Sequence, residues 1–210
     1  MWLAVDTLLR EQSNETCSLD DFARAFFGVN DGSMTTRTYT ADDVVRTLSA
    51  LAEYDWAAFL DDSLHRREAG APLEGLERGG YRLIYRSYRN DFCRSFDTLN
   101  GQLDLRFSIG LTLTDNGTVQ EVMWGSAAFD AGLTADSTIQ RVNGQVYSAL
   151  LMGETIEAAT DGGSITLTVK ARPQSKPREV AVNYREGNRF PHLEGITGSR
   201  SRLDEIFTAV

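Results

Sequence analysis

The sequence predicts an α+β chain, with an all-helical part first, then a β-rich part and a closing helix. Two observations carry this. Up to about residue 65, apolar residues recur every three or four positions, and Ser, Thr or Asp stands where the helices would start. Beyond Gly80 the period becomes two, as in Tyr81, Leu83 and Tyr85, and again in Ile109, Leu111 and Leu113. The change falls in Gly70–Gly80, which holds Pro72 and four glycines. The expected organisation is a helical subdomain over 1–69, a linker over 70–79, a β-rich domain over 80–186 and a tail over 187–210.

The elements follow in order. Trp2, Val5, Leu8 and Leu9 mark a first helix ending near Arg10. Ser18, with Asp21 three residues later, forms a capping box ahead of Phe22, Phe26 and Phe27, and Gly28 stops that helix. Thr40 and Asp43 repeat the device before Val44, Leu48, Leu51 and Ala52. Asp55 caps a fourth helix that carries Trp56, Phe59, Leu60 and Leu64. Acids at the starts of these helices suit the macrodipole. Strands are expected over 118–123, 137–142, 164–170 and 179–184, with one helix over 148–159. At the end, Leu203, Ile206, Phe207 and Val210 fall on one helical face. A competing arrangement lays this tail as an extended strand beside Ile109–Leu113.

The formal net charge is −9, which argues against nucleic acid as the main partner. The charge is uneven. Residues 1–62 hold four basic side chains against twelve acids, whereas residues 78–106 hold six arginines against three aspartates. Apolar runs such as Ala149-Leu150-Leu151-Met152 are far too short to span a bilayer, so no membrane partner is expected. The opening Met1-Trp2-Leu3-Ala4-Val5-Asp6 lacks the basic start of a secretory signal, and the compartment stays open between periplasm and cytoplasm. Cys17 and Cys93 have no C-x-x-C spacing and are expected to be free thiols.

Catalytic constellations are hard to find. His65 and His192 stand apart, and neither belongs to an H-E-x-x-H pair, which would place two zinc ligands on one helical turn. No G-x-S-x-G elbow, phosphate-binding loop or dinucleotide fingerprint occurs. Asp20-Asp21 and Asp42-Asp43 are neighbours that face different ways on a helix, and Ser126 has no base nearby in sequence. No catalytic residue and no metal ligand is assigned.

Ser108-Ile109-Gly110-Leu111 leads into an alternating strand, and glycine there allows successive N–H groups to converge on an anion. Further on come Gly125-Ser126-Ala127-Ala128 and Ala131-Gly132-Leu133, then Asp136-Ser137-Thr138-Ile139 and Val142-Asn143-Gly144. In that order the motifs resemble the PDZ domain, with Ala135 and Ala127 where the family usually has Gly and Pro. The resemblance implies a small β-barrel or sandwich with two helices. It also implies a groove for peptide or protein C-termini, lined by Ser108, Ile109, Gly110, Leu111, Thr112 and Leu113, with Leu151 and Ile156 on the helix opposite. Residues 148–160 contain no histidine, so apolar C-termini are the expected ligands. In the extended-tail arrangement the Val210 carboxylate would sit at Gly110.

A second resemblance covers nearly the whole chain. Trp2-Leu3-Ala4-Val5-Asp6-Thr7-Leu8-Leu9-Arg10, Ser18–Phe22, Tyr39–Val44, Pro72–Leu76, Gly80–Leu83, Arg189–Glu194 and Ser201-Arg202-Leu203 follow one another as in glycyl aminopeptidases. These are gluzincin-type zinc metallopeptidases with a PDZ domain near the C-terminus. The resemblance implies a non-catalytic C-terminal fragment. Zinc is expected in the full-length parent and no cofactor in this chain. The missing upstream catalytic domain is an expected partner, in keeping with a helix that opens at Trp2 without a cap. The alternative is a free-standing PDZ adaptor for apolar C-termini. Trp2, Phe22, Phe26, Phe27, Trp56 and Phe59 are many large apolar groups for a short helical part. The isolated chain is therefore expected to form a homo-oligomer through residues 1–65. Light scattering across a concentration series checks this, and a constant monomer mass would contradict it.

Overall fold

Helix starts in the N-terminal part fall where the cap residues stand, because a side-chain oxygen there answers N–H groups that have no partner within the helix. The structure, a computed structural model, describes residues 1–29, 32–67 and 70–208. In chain order the first elements are α1 (Trp2–Gln12), α2 (Leu19–Phe27), α3 (Ala41–Leu51), α4 (Trp56–His65), α5 (Glu74–Arg78) and β1 (Tyr81–Arg86). Then come α6 (Asp91–Asn100), β2 (Gln102–Leu105), β3 (Leu111–Thr114), β4 (Val119–Val122) and α7 (Ala127–Asp130). The remainder are β5 (Thr138–Val142), β6 (Gln145–Val146), α8 (Ala149–Ala158), β7 (Ile165–Lys170), β8 (Arg178–Val182), β9 (Phe190–Gly195) and α9 (Arg202–Phe207). They form two units: Met1–Leu83 with Leu193–Val210, and Ile84–His192. The chain passes from one to the other in β1 and β9, which pair with each other.

In the first unit, Val5, Leu8, Leu9, Phe22, Leu48, Ala52 and Trp56 form the core. Trp56 is fully buried, and its indole N–H donates to the Ala52 carbonyl at 2.9 Å. Asp6 is a buried acid among these apolar neighbours. Its carboxylate accepts from the Leu19 N–H at 2.8 Å and from Arg10 Nε at 3.2 Å, so α1 caps the start of α2. Asp21 accepts from the Ser18 N–H and Asp43 from the Thr40 N–H, each at 2.8 Å, completing the two capping boxes. Asp55 accepts from the Ala58 N–H at 3.0 Å.

The stretch read as a linker contains α5, which packs on α1. Its Pro and Gly content pointed to a connection, and five residues are too few for a periodic signal. The tail helix α9 seats on the same segment. The Leu203 N–H donates to the Gly79 carbonyl at 3.1 Å, and the Leu203 side chain fills the space that a Cβ on Gly79 would need. Arg202 bonds the Arg78 carbonyl and the Glu15 carboxylate, each at 2.7 Å. Val210, on which the extended-tail arrangement depends, lies outside the described residues.

The second unit holds two antiparallel sheets, in the orders β2-β3-β4 and β6-β5-β7-β8. Of the expected small barrel or sandwich, no closed barrel forms among the described residues. The strands fall into two sheets with separate orders, and no continuous ladder closes them on each other. β4 and β5 meet instead through one isolated bridge, Thr118 with Thr138, and through flanking backbone bonds such as Val119 N–H to the Ser137 carbonyl. The core runs between the sheets and α8, from Leu103, Leu105 and Ile109 to Met152, Ile156, Leu167 and Phe190. The Asn143-Gly144 turn joins β5 to β6 with φ of 47° and 80°, as its sequence predicts. The Asn143 side chain also donates to the Ser164 carbonyl and accepts from the Thr166 N–H, each at 2.8 Å, tying the turn to β7.

Helix α6 reverses the usual arrangement. Asp97 is its buried residue, accepting from Arg89 Nε at 3.0 Å, while Phe92 and Leu99 are 74% and 84% exposed.

The capping boxes set an acid limit for the first unit. N–H donors at Ser18 and Thr40 hold the Asp21 and Asp43 carboxyls below their ordinary value. A depressed folded value adds stability that is complete above the unfolded carboxylate range, about pH 4, and is lost as the pH falls through the folded values. Helical circular dichroism is therefore expected to decline below about pH 4. The Asp21→Asn, Asp43→Asn double variant should show a flatter acid limb.

Candidate functional site

The candidate groove residues lie where the 106–110 loop turns β2 into β3. Ile109, Leu111, Leu113 and Ile156 are fully buried in the core of the second unit, and Leu151 packs half-buried against it. Their side chains hold the site in place and do not line it. Ser108 and Thr112 retain only a trace of exposure. Each edge of β3 has a hydrogen-bonded partner, β2 on one side and β4 on the other. An added peptide strand therefore meets no free edge on β3.

The loop backbone is turned inward. The Ser108 and Gly110 N–H groups both donate to the Leu105 carbonyl at 3.0 Å. The Ala128 N–H reaches the Ile109 carbonyl at 2.9 Å, and the Met123 N–H reaches the Gly110 carbonyl at 2.8 Å. Gly110 has φ +86°, and a Cβ there would overlap Ser126. Only glycine allows both the turn and the close approach. The Ser126 hydroxyl, read from the sequence as a serine without a base, donates to the Gly110 carbonyl at 3.3 Å and accepts from the Phe129 N–H at 3.2 Å. It is an N-cap that joins α7 to the loop.

Opposite the loop, α8 presents Gly153 and Glu157. Between them runs Gly187-Asn188-Arg189, which the sequence places in the tail and the structure in the second unit. The Asn188 amide donates to the Gly153 carbonyl at 2.9 Å and to Glu157 Oε2 at 3.1 Å. The Asn188 N–H also donates to Glu157 Oε2, at 2.9 Å. On the other side, the Arg189 N–H donates to the Ser108 hydroxyl at 3.0 Å, and that hydroxyl lies 3.4 Å from the Arg189 carbonyl, to which it donates. The Tyr184 hydroxyl donates to the Gly187 carbonyl at 2.9 Å, and burial pushes that phenol up to about 12. Arg189 lies over the Tyr85 ring, 4.5 Å from its centroid. The only sequence signal for this contact was polar: Asn and Gly ahead of an apolar Phe190.

The two histidines are not brought together with other ligands. His65 lies 3.0 Å from Asp61, both exposed on α4, and His192 Nε2 lies 2.8 Å from the Tyr88 carbonyl. Among the described residues, no group of three or more His, Cys, Asp or Glu side chains is arranged to hold a metal ion. Burial pushes the Cys93 thiol up, away from a reactive thiolate.

The fold is similar to that of a solved structure, the crystal structure of the aminopeptidase N family protein from Idiomarina loihiensis. The likeness has a TM-score of 0.56 at 18% identity, over 99% of this chain and 35% of that one. The chain thus spans about a third of the length of that protein. No family model matches the sequence, and no curated protein matches it.

The loop generates a stability test. A Cβ at positive φ costs about 1–2 kcal/mol, and forced overlap in a packed region adds about 1–3 kcal/mol. Gly110→Ala is expected to lower the urea midpoint far more than Ser126→Ala, which loses an N-cap worth about 1 kcal/mol. Equal midpoints for the two variants would contradict this account of the loop.

Proposed function

We propose that this chain is the non-catalytic, C-terminal part of a glycyl aminopeptidase-like zinc metallopeptidase. In this reading the second unit is a PDZ-like module that positions peptide substrates or engages protein C-termini. The observation that carries the reading is the lopsided likeness, nearly all of this chain against about a third of an aminopeptidase N family structure. The order of motifs from Trp2 to Leu203 supports the glycyl type, and the glycine loop facing α8 supports the PDZ-like module. Catalysis and zinc then belong to the upstream part of the longer protein. This chain contributes fold and recognition: Ser108 of the loop and Glu157 of α8 form a pair of polar walls that hold the backbone N–H groups of Arg189 and Asn188.

The test compares this chain with the longer reading frame that contains it. The isolated chain is expected to hold less than stoichiometric zinc and to release no product from glycyl p-nitroanilide. The longer protein should encode H-E-x-x-H upstream, bind zinc and cleave that substrate. One zinc per isolated chain, or turnover by it, would overturn the proposal. A reading frame without H-E-x-x-H would leave the adaptor as the better description.

A further inference from the structure

The polar walls of the second unit are already bridged. Gly187-Asn188-Arg189 crosses from α8 to the 106–110 loop, and its Asn188 and Arg189 contacts to both are hydrogen bonds of the kind a bound peptide makes. A backbone N–H meets the Ser108 hydroxyl, a second meets Glu157, and a side-chain amide meets the Gly153 carbonyl. Just beyond it Phe190 is anchored in the core, 5% exposed, so the segment is held at its C-terminal side by burial and across its middle by hydrogen bonds. One polar atom is left over. Asn188 Oδ1 is buried and has no hydrogen-bond partner. An unpaired buried acceptor disfavours the closed arrangement.

We infer that residues 187–189 are a strap that fills the recognition groove of the second unit in cis and competes there with an extended peptide ligand. This rests on the reading of the second unit as a peptide-binding module and names how that module is regulated. Glu157 and Ser108 are the two reading groups. Glu157 accepts two N–H donors from one residue, which selects an Asn-like side chain and excludes an acid at that place. Ser108 fixes the next backbone unit. Strand addition to β3 plays no part, because both edges of β3 are paired. An outside ligand binds only in the fraction of molecules whose strap is open, so its apparent affinity falls in proportion to that fraction.

The test uses the full chain and a fluorescein-labelled peptide copying residues 185–191, Arg-Glu-Gly-Asn-Arg-Phe-Pro, blocked at both ends. Asn188→Asp places a second carboxylate against Glu157. Asn188→Ala removes the amide without adding charge and serves where the first variant fails to fold. Both variants should speed amide exchange at 187–189 and raise peptide affinity by about tenfold or more over the unaltered chain. A peptide with Asp in place of the Asn should not bind. Unchanged exchange in both variants, or fast exchange with no gain in binding, overturns the strap. A second labelled peptide, Phe-Thr-Ala-Val with a free carboxylate, separates the two readings. If opened variants bind it and not the strap peptide, the module stands and the strap proposal falls. If they bind neither, the peptide-binding reading falls with it.

Discussion

The second unit depends on how the backbone of residues 105–110 is satisfied inside an apolar core. Leu105, Ser108, Ile109 and Gly110 are buried, so their polar groups need partners within the protein while Arg106 and Phe107 reach water. The Leu105 carbonyl takes two N–H groups, from Ser108 and Gly110, and the Ile109 and Gly110 carbonyls take N–H groups from Ala128 and Met123. Each such group left unpaired would cost about 1–3 kcal/mol. The loop is therefore a hub that fixes β2 against β3, the end of β4 and the start of α7. Ser108 is left facing Arg189, and its hydroxyl both donates and accepts there. Recognition and stability thus draw on the same turn.

The first unit is wired differently. Its core is small and strongly aromatic, and polar groups set the angles between its helices. Asp6 reaches from α1 to the first residue of α2, and Arg10 sits between Asp6 and Glu205 of α9, 3.2 Å and 3.8 Å away. A buried carboxylate is tolerated because a backbone N–H and a guanidinium answer it. Removal of either partner would leave a buried acid with one donor fewer.

Local devices were legible in the sequence. The capping serines, threonine and aspartates, the Asn143-Gly144 turn and the alternating strands signal through neighbours within a few residues, and the structure uses them as read. Helix α6 escaped because its apolar residues Phe92, Phe96 and Leu99 face outward while Asp97 and half-buried Cys93 face inward, so the apolar stripe has no core behind it. The pairing of β2 with β3 had a signal in Leu103 and Leu105, alternating with polar residues, but it was hidden among the arginines around it. The barrel-or-sandwich expectation came from resemblance to a family, not from any local signal of how the sheets close. For the candidate groove, the sequence marked the loop glycine and missed what faces it. Gly187, Asn188 and Arg189 acquire a role only through residues some 30 and 80 positions away, a separation that no local pattern encodes.

Asn143-Gly144 carries a consequence for the chemical lifetime of the chain. Asparagine followed by glycine is the dipeptide most open to deamidation, in which the Gly144 nitrogen attacks the Asn143 side-chain carbonyl and ammonia leaves. Here both ends of that amide are engaged, Nδ2 with the Ser164 carbonyl and Oδ1 with the Thr166 N–H. Ring closure must first break both bonds, so the native sheet slows the ageing of its own turn. Once the amide is lost, an oxygen replaces the donor and confronts the Ser164 carbonyl, and the tie between β5 and β7 becomes a repulsion. Damage at this one residue would follow the time the sheet spends open and would then lengthen that time.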